Sequence, residues 1–324
     1  MKNDYIYAAA RIRVLETGLL KRQDLDQLMG ARDVSQALLR LAELGWGPRD
    51  RTMAPETLLK DQEERTWALV NELLPDPSVL DPLKYQYDYH NLKAAIKLCY
   101  TGSSLPKERF FISGGAIPWE KIDQCIREKD YDALPEPMAK AAGEAFETLL
   151  HTGDGQLSDS IIDRHFLEDF DRTCQESPAR VLRAYGEAFT VFSDLRIALR
   201  SYKTQRPISF LNQALAKSKA INIRDLAQEA IKGPEHIAQV AERTKFSSAG
   251  PAIRASEAAF EKWCSDTTMA LIRPERADSS TLGPVIAYVL ARENEIKYVR
   301  LILSVKQNQL PETLILERLG ELYV

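Results

Sequence analysis

The sequence contains none of the short motifs that mark nucleotide-binding or nucleophilic enzymes. It has no glycine-rich loop followed by Lys-Ser or Lys-Thr, and no Gly-x-Ser-x-Gly elbow. The segments Ser113-Gly114-Gly115 and Gly153-Asp154-Gly155 lack the lysine and the strand-to-helix setting of a phosphate loop, so both indicate turns. By motif, therefore, the sequence offers no catalytic residue and no cofactor-binding residue.

Cysteine and histidine are scarce, with four of each. No Cys-x-x-Cys pair occurs, which predicts free thiols in a reducing cytosol. Asp163, His165 and Glu168 have spacings that hint at metal ligation. A di-metal centre held by a helical bundle needs a second matching pair, and none is found. We expect no metal site.

A basic excess and a long apolar run are also missing. Lysine and arginine total 43 against 47 acidic residues, a net charge of −4, which argues against a nucleic-acid partner. The longest weakly polar run, 282–291, is half of the roughly 20 residues that a spanning helix needs. The N-terminal segment has no apolar core of a signal peptide. These absences predict a cytoplasmic protein that does not itself cross a membrane.

Helical periodicity is the strongest pattern that is present. Ala8, Ile12, Leu15 and Leu19 fall on one face of a helix, and further stripes of this kind follow along the chain. The best strand candidate, Phe110-Phe111-Ile112, is too short to nucleate a sheet. The sequence predicts an all-α protein.

A short triplet occurs three times, as Asn91-Leu92-Lys93, Asp194-Leu195-Arg196 and Glu295-Ile296-Lys297. The central apolar residues are 103 and 101 positions apart. A second landmark precedes each triplet by 67, 73 and 70 residues, respectively, and reads Leu25-Asp26-Gln27, Ile122-Asp123-Gln124 and Leu226-Ala227-Gln228.

Repetition at this period predicts three related helical lobes rather than a thin solenoid. Breaker-rich segments at Thr101–Pro106 and Thr204–Pro207 place the lobes at 1–105, 106–207 and 208–324. Each lobe is long enough to have its own core.

Within each triplet, residues two apart do not face each other on a helix, so the charged members cannot form a local catalytic pair. We expect the apolar member to point into the core and the flanking charges to lie at the edges of the buried face. There they would contact neighbouring lobes or form solvated pairs such as Glu293 with Lys297, at i and i+4.

Three segments resemble the C subunit of prokaryotic V-type (A/V-type) ATPases, the counterpart of the d subunit of the vacuolar ATPase. They are Tyr5–Arg13 (YIYAAARIR), Asp88–Lys93 (DYHNLK) and Arg292–Ile302 (RENEIKYVRLI). The resemblance spans the whole chain in length and in the order of its landmarks. The middle repeat departs most, with Phe192-Ser193-Asp194 where the first repeat has Tyr89-His90-Asn91.

The resemblance implies an all-helical funnel of three similar lobes with pseudo-threefold symmetry. It implies a non-catalytic central-stalk subunit, present once per complex and monomeric when isolated. Such a subunit sits on the cytoplasmic face of the membrane rotor ring and receives the central shaft. It couples ATP hydrolysis or synthesis to proton or sodium transport. Exposed bases near the triplets are then expected to line the funnel or the lobe contacts: Lys93, Arg196, Lys297 and Arg300.

Two other function classes stay open at this point. One is a generic cytosolic scaffold of helical repeats unrelated to rotary ATPases. The other is a hydrolase or metal-dependent helical enzyme whose residues converge in space, and a cluster of Asp163, His165 and Glu168 with further ligands would favour it.

Overall fold

The structure, a computed structural model, describes residues 5–48, 53–102 and 105–324. The predicted boundary at Thr101–Pro106 therefore falls partly outside the described residues, at Ser103 and Ser104. Within these ranges all regular elements are helical and no strand occurs. The predicted all-α class is confirmed.

The chain divides into two compact units. Unit 1 comprises Met1–Pro77, Pro178–Ala184 and Ala255–Val324, and unit 2 comprises Ser78–Ser177 and Tyr185–Arg254. The division groups residues by contact and not by repeat, so the three lobes and their funnel arrangement stay predictions.

Unit 1 contains seven of the α-helices in the described ranges: α1 (Ile6–Leu15), α2 (Arg22–Met29), α3 (Val34–Glu43), α4 (Pro55–Leu73), α14 (Glu257–Ile272), α15 (Gly283–Gln307) and α16 (Thr313–Leu316). The long helix α15 carries the third triplet and packs against α1, α2, α3, α4, α14 and α16. Pro284 lies in its first turn, where a missing N–H costs nothing.

The core of unit 1 forms because α15 is apolar on most of its circumference. Tyr298, Val299 and Ile302 are almost fully buried and pack with Leu25 and Leu58 from the N-terminal helices. A helix that is apolar nearly all round must be covered on several sides. The N-terminal helices supply part of that cover, although well over 200 residues separate them from α15 along the chain.

Lys306 also ties α15 to the N-terminal helices. Its Nζ donates to the carbonyl oxygens of Met29 and Ala31, each at 2.6 Å, at the end of α2. The last carbonyls of a helix lack intrahelical partners and carry partial negative charge, so a lysine ammonium there satisfies them and stabilises the helix end.

Unit 2 contains the remaining α-helices of the described ranges: α5 (Tyr85–Thr101), α6 (Trp119–Glu128), α7 (Glu136–Thr152), α8 (Gly155–Glu176), α9 (Arg180–Lys203, from Tyr185 onwards), α10 (Ile208–Ala214), α11 (Ile223–Ala230), α12 (Pro234–Glu242) and α13 (Ala249–Ala255, up to Arg254). One core cluster of unit 2 joins α5, which carries the first triplet, to α6, α7 and α8 through residues such as Leu92, Ile122, Phe146 and Ile161.

The predicted turn at Gly153-Asp154-Gly155 joins two helices of unit 2. Gly153 has a φ of 66° and ends α7 in the left-handed conformation that glycine adopts without steric cost. Asp154 then caps α8, since its carboxylate accepts the backbone N–H groups of Gln156 and Leu157. This turn prediction is confirmed.

The segment Phe110-Phe111-Ile112 forms no strand. Phe110 ends a single 3₁₀ turn (Lys107–Arg109), and the stacked rings of Phe111 and Trp119 lie 4.6 Å apart. The apolar side chain of Phe111 packs against the first residue of α6 instead of forming part of a sheet.

A close approach of α8 and α9 gives a testable packing prediction. A Cβ built on Gly186 would lie 2.4 Å from the Cβ of Cys174, too close for any real pair of carbons. Gly186→Ala is expected to lower the free energy of unfolding by about 1–2 kcal/mol. Overpacking destabilises by about 1–3 kcal/mol, and the higher helix propensity of alanine than of glycine offsets about 1 kcal/mol of this loss.

Gly143, inside α7, is the matched control because a Cβ there would meet nothing within 4 Å. Gly143→Ala should raise the free energy of unfolding by about 0.5–1 kcal/mol. Urea denaturation of both variants checks the pair. Equal stability of the two variants would contradict the close approach.

Candidate functional site

The first residue of the first triplet, Asn91 on α5, is fully buried. Its Oδ1 accepts a hydrogen bond from the backbone N–H of Ile112 at 2.8 Å, and its Nδ2 donates to the carbonyl oxygen of Ile112 at 2.9 Å. The amide thus satisfies both backbone polar groups of one residue, as a neighbouring strand would. It holds the segment that leads into α6.

The first residue of the second triplet, Asp194 on α9, is also fully buried. Its Oδ1 accepts the backbone N–H of Ala216 at 2.9 Å, in the segment that leads towards α11. Its Oδ2 has no hydrogen-bond partner among the described residues. Burial raises the pKa of this carboxyl well above its usual range, because removal from water disfavours the charged form.

The first residue of the third triplet, Glu295 on α15, is 2% exposed. Its Oε1 accepts the backbone N–H of Leu20 at 2.6 Å, just before α2, and its Oε2 accepts from Arg292 Nη1 at 2.8 Å. Arg292 Nη2 donates to the Tyr288 hydroxyl at 3.1 Å. Burial raises the pKa of Glu295 to about 8, against the opposing attraction of Arg292 and the N–H of Leu20.

The three residues share one structural role. Each is a buried acceptor on a long helix, and each holds the backbone of a segment that precedes a helix containing the second landmark, namely α6, α11 and α2. We call this contact the triplet clamp. The expectation that Asp194 and Glu295 lie at the edge of the buried face is wrong, because both are interior and bind backbone.

The residue types at the first triplet position indicate the triplet clamp, although helical spacing does not. Asn91, Asp194 and Glu295 differ in charge and length, yet each can accept a hydrogen bond. A position that keeps an acceptor but not a charge is typical of a side chain that binds backbone rather than an ionic partner. The apolar members Leu92 and Leu195 are fully buried, as expected.

Glu293 and Lys297, the pair predicted from helical spacing, differ in exposure: Lys297 is exposed and Glu293 is half-buried. Lys297 Nζ lies 3.0 Å from the Ser265 hydroxyl, and in the part of the chain that the structure describes Glu293 Oε1 is inaccessible and has no hydrogen-bond partner. Burial, and to a smaller extent the nearby Glu63 carboxylate, raises the pKa of Glu293 to about 8.

The four predicted interface bases lie in different surroundings. In unit 2, Lys93 is half-buried and its Nζ lies 2.7 Å from Asp163 Oδ1, and Arg196 is half-buried on α9. In unit 1, Lys297 and Arg300 are exposed on α15. The structure brings Lys93 into a polar depression, whereas Arg196 is not among the residues that line it.

The polar depression has a volume of about 310 Å³ and lies wholly within unit 2. It is formed by one residue of α5, by α8, by the C-terminal half of α9 and by the segment that enters α10. Its lining is Lys93, Gln156, Asp159, Ser160, Asp163, Ile197, Arg200, Ser201, Thr204, Arg206 and Phe210.

Asp163, His165 and Glu168 do not converge on one point. Asp163 pairs with Lys93, whereas His165 Nε2 lies 2.8 Å from Glu144 Oε2. Glu168 accepts the backbone N–H of Lys217 at 3.0 Å. Over residues 5–48, 53–102 and 105–324, no group of three or more such side chains is placed to hold a metal ion.

No helix within the described ranges combines the length and the apolar character that crossing a bilayer requires. The four cysteines, Cys99, Cys125, Cys174 and Cys264, are free thiols as expected. Burial raises the pKa of the Cys174 thiol, which lowers its reactivity.

Comparison with known proteins identifies the family. A family model described as ATP synthase (C/AC39) subunit matches residues 8–318. The chain belongs to the ATP synthase (C/AC39) subunit family. It is 22% identical over 273 residues to the C subunit of the V-type sodium ATPase of Enterococcus hirae, a match that covers 83% of this chain and 82% of that protein.

The resemblance to the V-type ATPase C subunit that the three segments indicate is thereby confirmed. A C/AC39 subunit is an accessory part of a multisubunit ATPase, so its surfaces must serve partner subunits. The buried triplet clamps fix helices and the segments that precede them.

Proposed function

We propose that this C/AC39 chain is a non-catalytic central-stalk subunit of a rotary V-type ATPase or ATP synthase. It would act as a socket between the central shaft and the membrane rotor ring, at the cytoplasmic face of the membrane. Through this socket, ATP hydrolysis or synthesis is coupled to proton or sodium transport. The family match over residues 8–318 is the observation that carries the proposal.

Mechanical coupling requires a stiff subunit, and the triplet clamps support that requirement. Each clamp fixes an irregular segment to a long helix through a hydrogen bond to a buried side chain, at 2.8, 2.9 and 2.6 Å. Hydrogen bonds removed from water are stronger than those exposed to it, and they favour one arrangement of the chain. Such segments resist local opening, which would otherwise absorb torque.

The contacts with shaft and ring are proposed to use the bases Lys93, Arg196, Lys297 and Arg300. Rim charges mainly set the association rate and its salt dependence. Replacing all four by alanine is expected to weaken assembly with shaft and ring subunits by about tenfold at low salt. The difference should shrink as salt is raised, because exposed charges are screened.

The test is reconstitution of the purified chain with shaft and ring subunits, followed by measurement of the dissociation constant. A matched control replaces Arg32, Lys60, Lys121 and Arg224 by alanine, which removes one lysine and one arginine from each unit, all exposed. Equal binding of the two quadruple variants would contradict the role of the four bases. Failure of the wild-type chain to bind either partner would contradict the central-stalk function.

A further inference from the structure

The polar depression of unit 2 contains two arginines that its own acids do not neutralise. Its two carboxylates are each paired with a lysine: Asp163 with Lys93 at 2.7 Å, and Asp159 with Lys97 at 2.5 Å. Neither Arg200 nor Arg206 forms an ion pair within the part of the chain that the structure describes. The two guanidinium groups therefore leave the depression with an excess of positive charge.

The turn at the end of α9 holds Arg206 in place. Gln205 has a φ of 54°, and its N–H bonds the carbonyl of Tyr202 at 3.0 Å. The N–H of Arg206 bonds the carbonyl of Ser201 at 2.9 Å. These two bonds form the motif that commonly ends a helix and reverses the chain, and they return Arg206 to the side of α9.

The Arg206 guanidinium is further fixed by an aromatic ring. Its central carbon lies 5.1 Å from the centroid of Phe210, a distance typical of a cation–π contact. The five N–H donors of an arginine form a planar fork that matches a carboxylate.

The shape of the depression favours a side chain brought by another protein over a free small molecule. Its volume of about 310 Å³ is at the lower limit of ligand pockets, which bury most of a bound molecule. Arg200 and Thr204 at its rim are exposed. Ile197 and Phe210 offer apolar contact that suits the methylene groups of a glutamate.

We propose that the polar depression binds acidic side chains of a partner protein, with Arg200 and Arg206 receiving their carboxylates. The proposal specifies that the partner segment is acidic. It rests on the central-stalk function only for which protein that partner is. Lys93, which the repeated triplet predicts as an interface base, lines the same depression. The triplet predicts neither Arg200 nor Arg206.

The test measures binding of end-blocked hexaglutamate peptide to the full-length chain by isothermal titration calorimetry. Replacing both Arg200 and Arg206 by glutamine is expected to weaken binding about tenfold. A control replaces Arg109 and Arg224, which are exposed elsewhere on unit 2, by glutamine. The control should bind the peptide like the wild type, and hexaglutamine should not bind.

Three results would overturn the proposal. The first is equal binding by the double variant and its control. The second is full displacement of the peptide by an equal concentration of inorganic phosphate, which would indicate a phosphate site. The third is binding of anionic phosphatidylglycerol vesicles that depends on both arginines, which would indicate a lipid surface. None of these measurements involves shaft or ring subunits, so the outcome is independent of the central-stalk function.

Discussion

Replacing Arg292 by methionine is expected to lower the free energy of unfolding of unit 1 by about 3–5 kcal/mol above pH 8, because Glu295, whose pKa is about 8, is ionised there and would be left buried without its counter-charge. Arg292 is itself nearly buried, and its guanidinium lies over the rings of Trp46 and Tyr288. Methionine replaces the aliphatic part of that packing but supplies no donor to Glu295 Oε2. The loss would thus be largely electrostatic.

Hydrogen exchange at the Leu20 amide gives a local measurement of this effect, because that N–H donates to Glu295. Protection of the amide should fall in Arg292→Met and stay unchanged in Arg318→Met, a control at an exposed position of unit 1. Adding Glu295→Gln to Arg292→Met should recover part of the stability by removing the unpaired acid. A double variant no more stable than Arg292→Met would contradict the electrostatic explanation.

Replacing Asp194 by asparagine is expected to stabilise unit 2 at neutral pH by roughly 3 kcal/mol, because burial raises the pKa of the wild-type carboxyl and folding must then bind a proton that the unfolded chain releases. An asparagine occupies the equivalent position of the first repeat, where Asn91 binds both backbone groups of Ile112. An amide at 194 keeps the acceptor that binds Ala216 and carries no charge. This variant should gain stability although it changes the fold's interior.

The pH dependence has a definite sign. Burial raises the pKa of Asp194 in the folded chain above its value in the unfolded chain. The folded state therefore binds a proton that the unfolded state releases, and stability falls as pH rises from the unfolded pKa towards the folded pKa. Asp194→Asn removes this slope, so its advantage should be largest at neutral pH and vanish on acidification below the unfolded pKa.

Denaturant titrations at several pH values, with exposed Asp132→Asn as the control, check this prediction. The control should follow the wild-type pH profile. An Asp194→Asn variant that is less stable than the wild type at neutral pH would show that the ionised carboxylate has a favourable partner.

The local pattern of apolar residues is sufficient to predict the all-helical class and many of the core residues. Helical spacing assigns Leu92 and Leu195 to the interior, and both are fully buried. Spacing reports only which face is apolar. It does not show that a polar neighbour such as Asp194 is also interior, because that depends on a backbone group supplied by another segment.

The site is less predictable from the sequence, for the same reason. The triplet selects Lys93, and this lysine does line the polar depression. Arg200 lies one helical turn after the predicted Arg196, but nothing local distinguishes it from other surface bases. In the sequence Arg206 belongs to a lobe boundary, and its place in the depression depends on the reversal of the chain at Gln205.

The closure of α15 on the first helices has a consequence for biosynthesis. Leu20, Met29 and Ala31 contact Glu295 and Lys306, which follow them by 275 residues or more along the chain. During synthesis, these early helices cannot make those contacts until α15 has left the ribosome. All of unit 2, which ends at Arg254, is synthesised before that point. The N-terminal segment therefore keeps apolar surface uncovered over this interval, and a nascent chain with exposed apolar surface depends on chaperones.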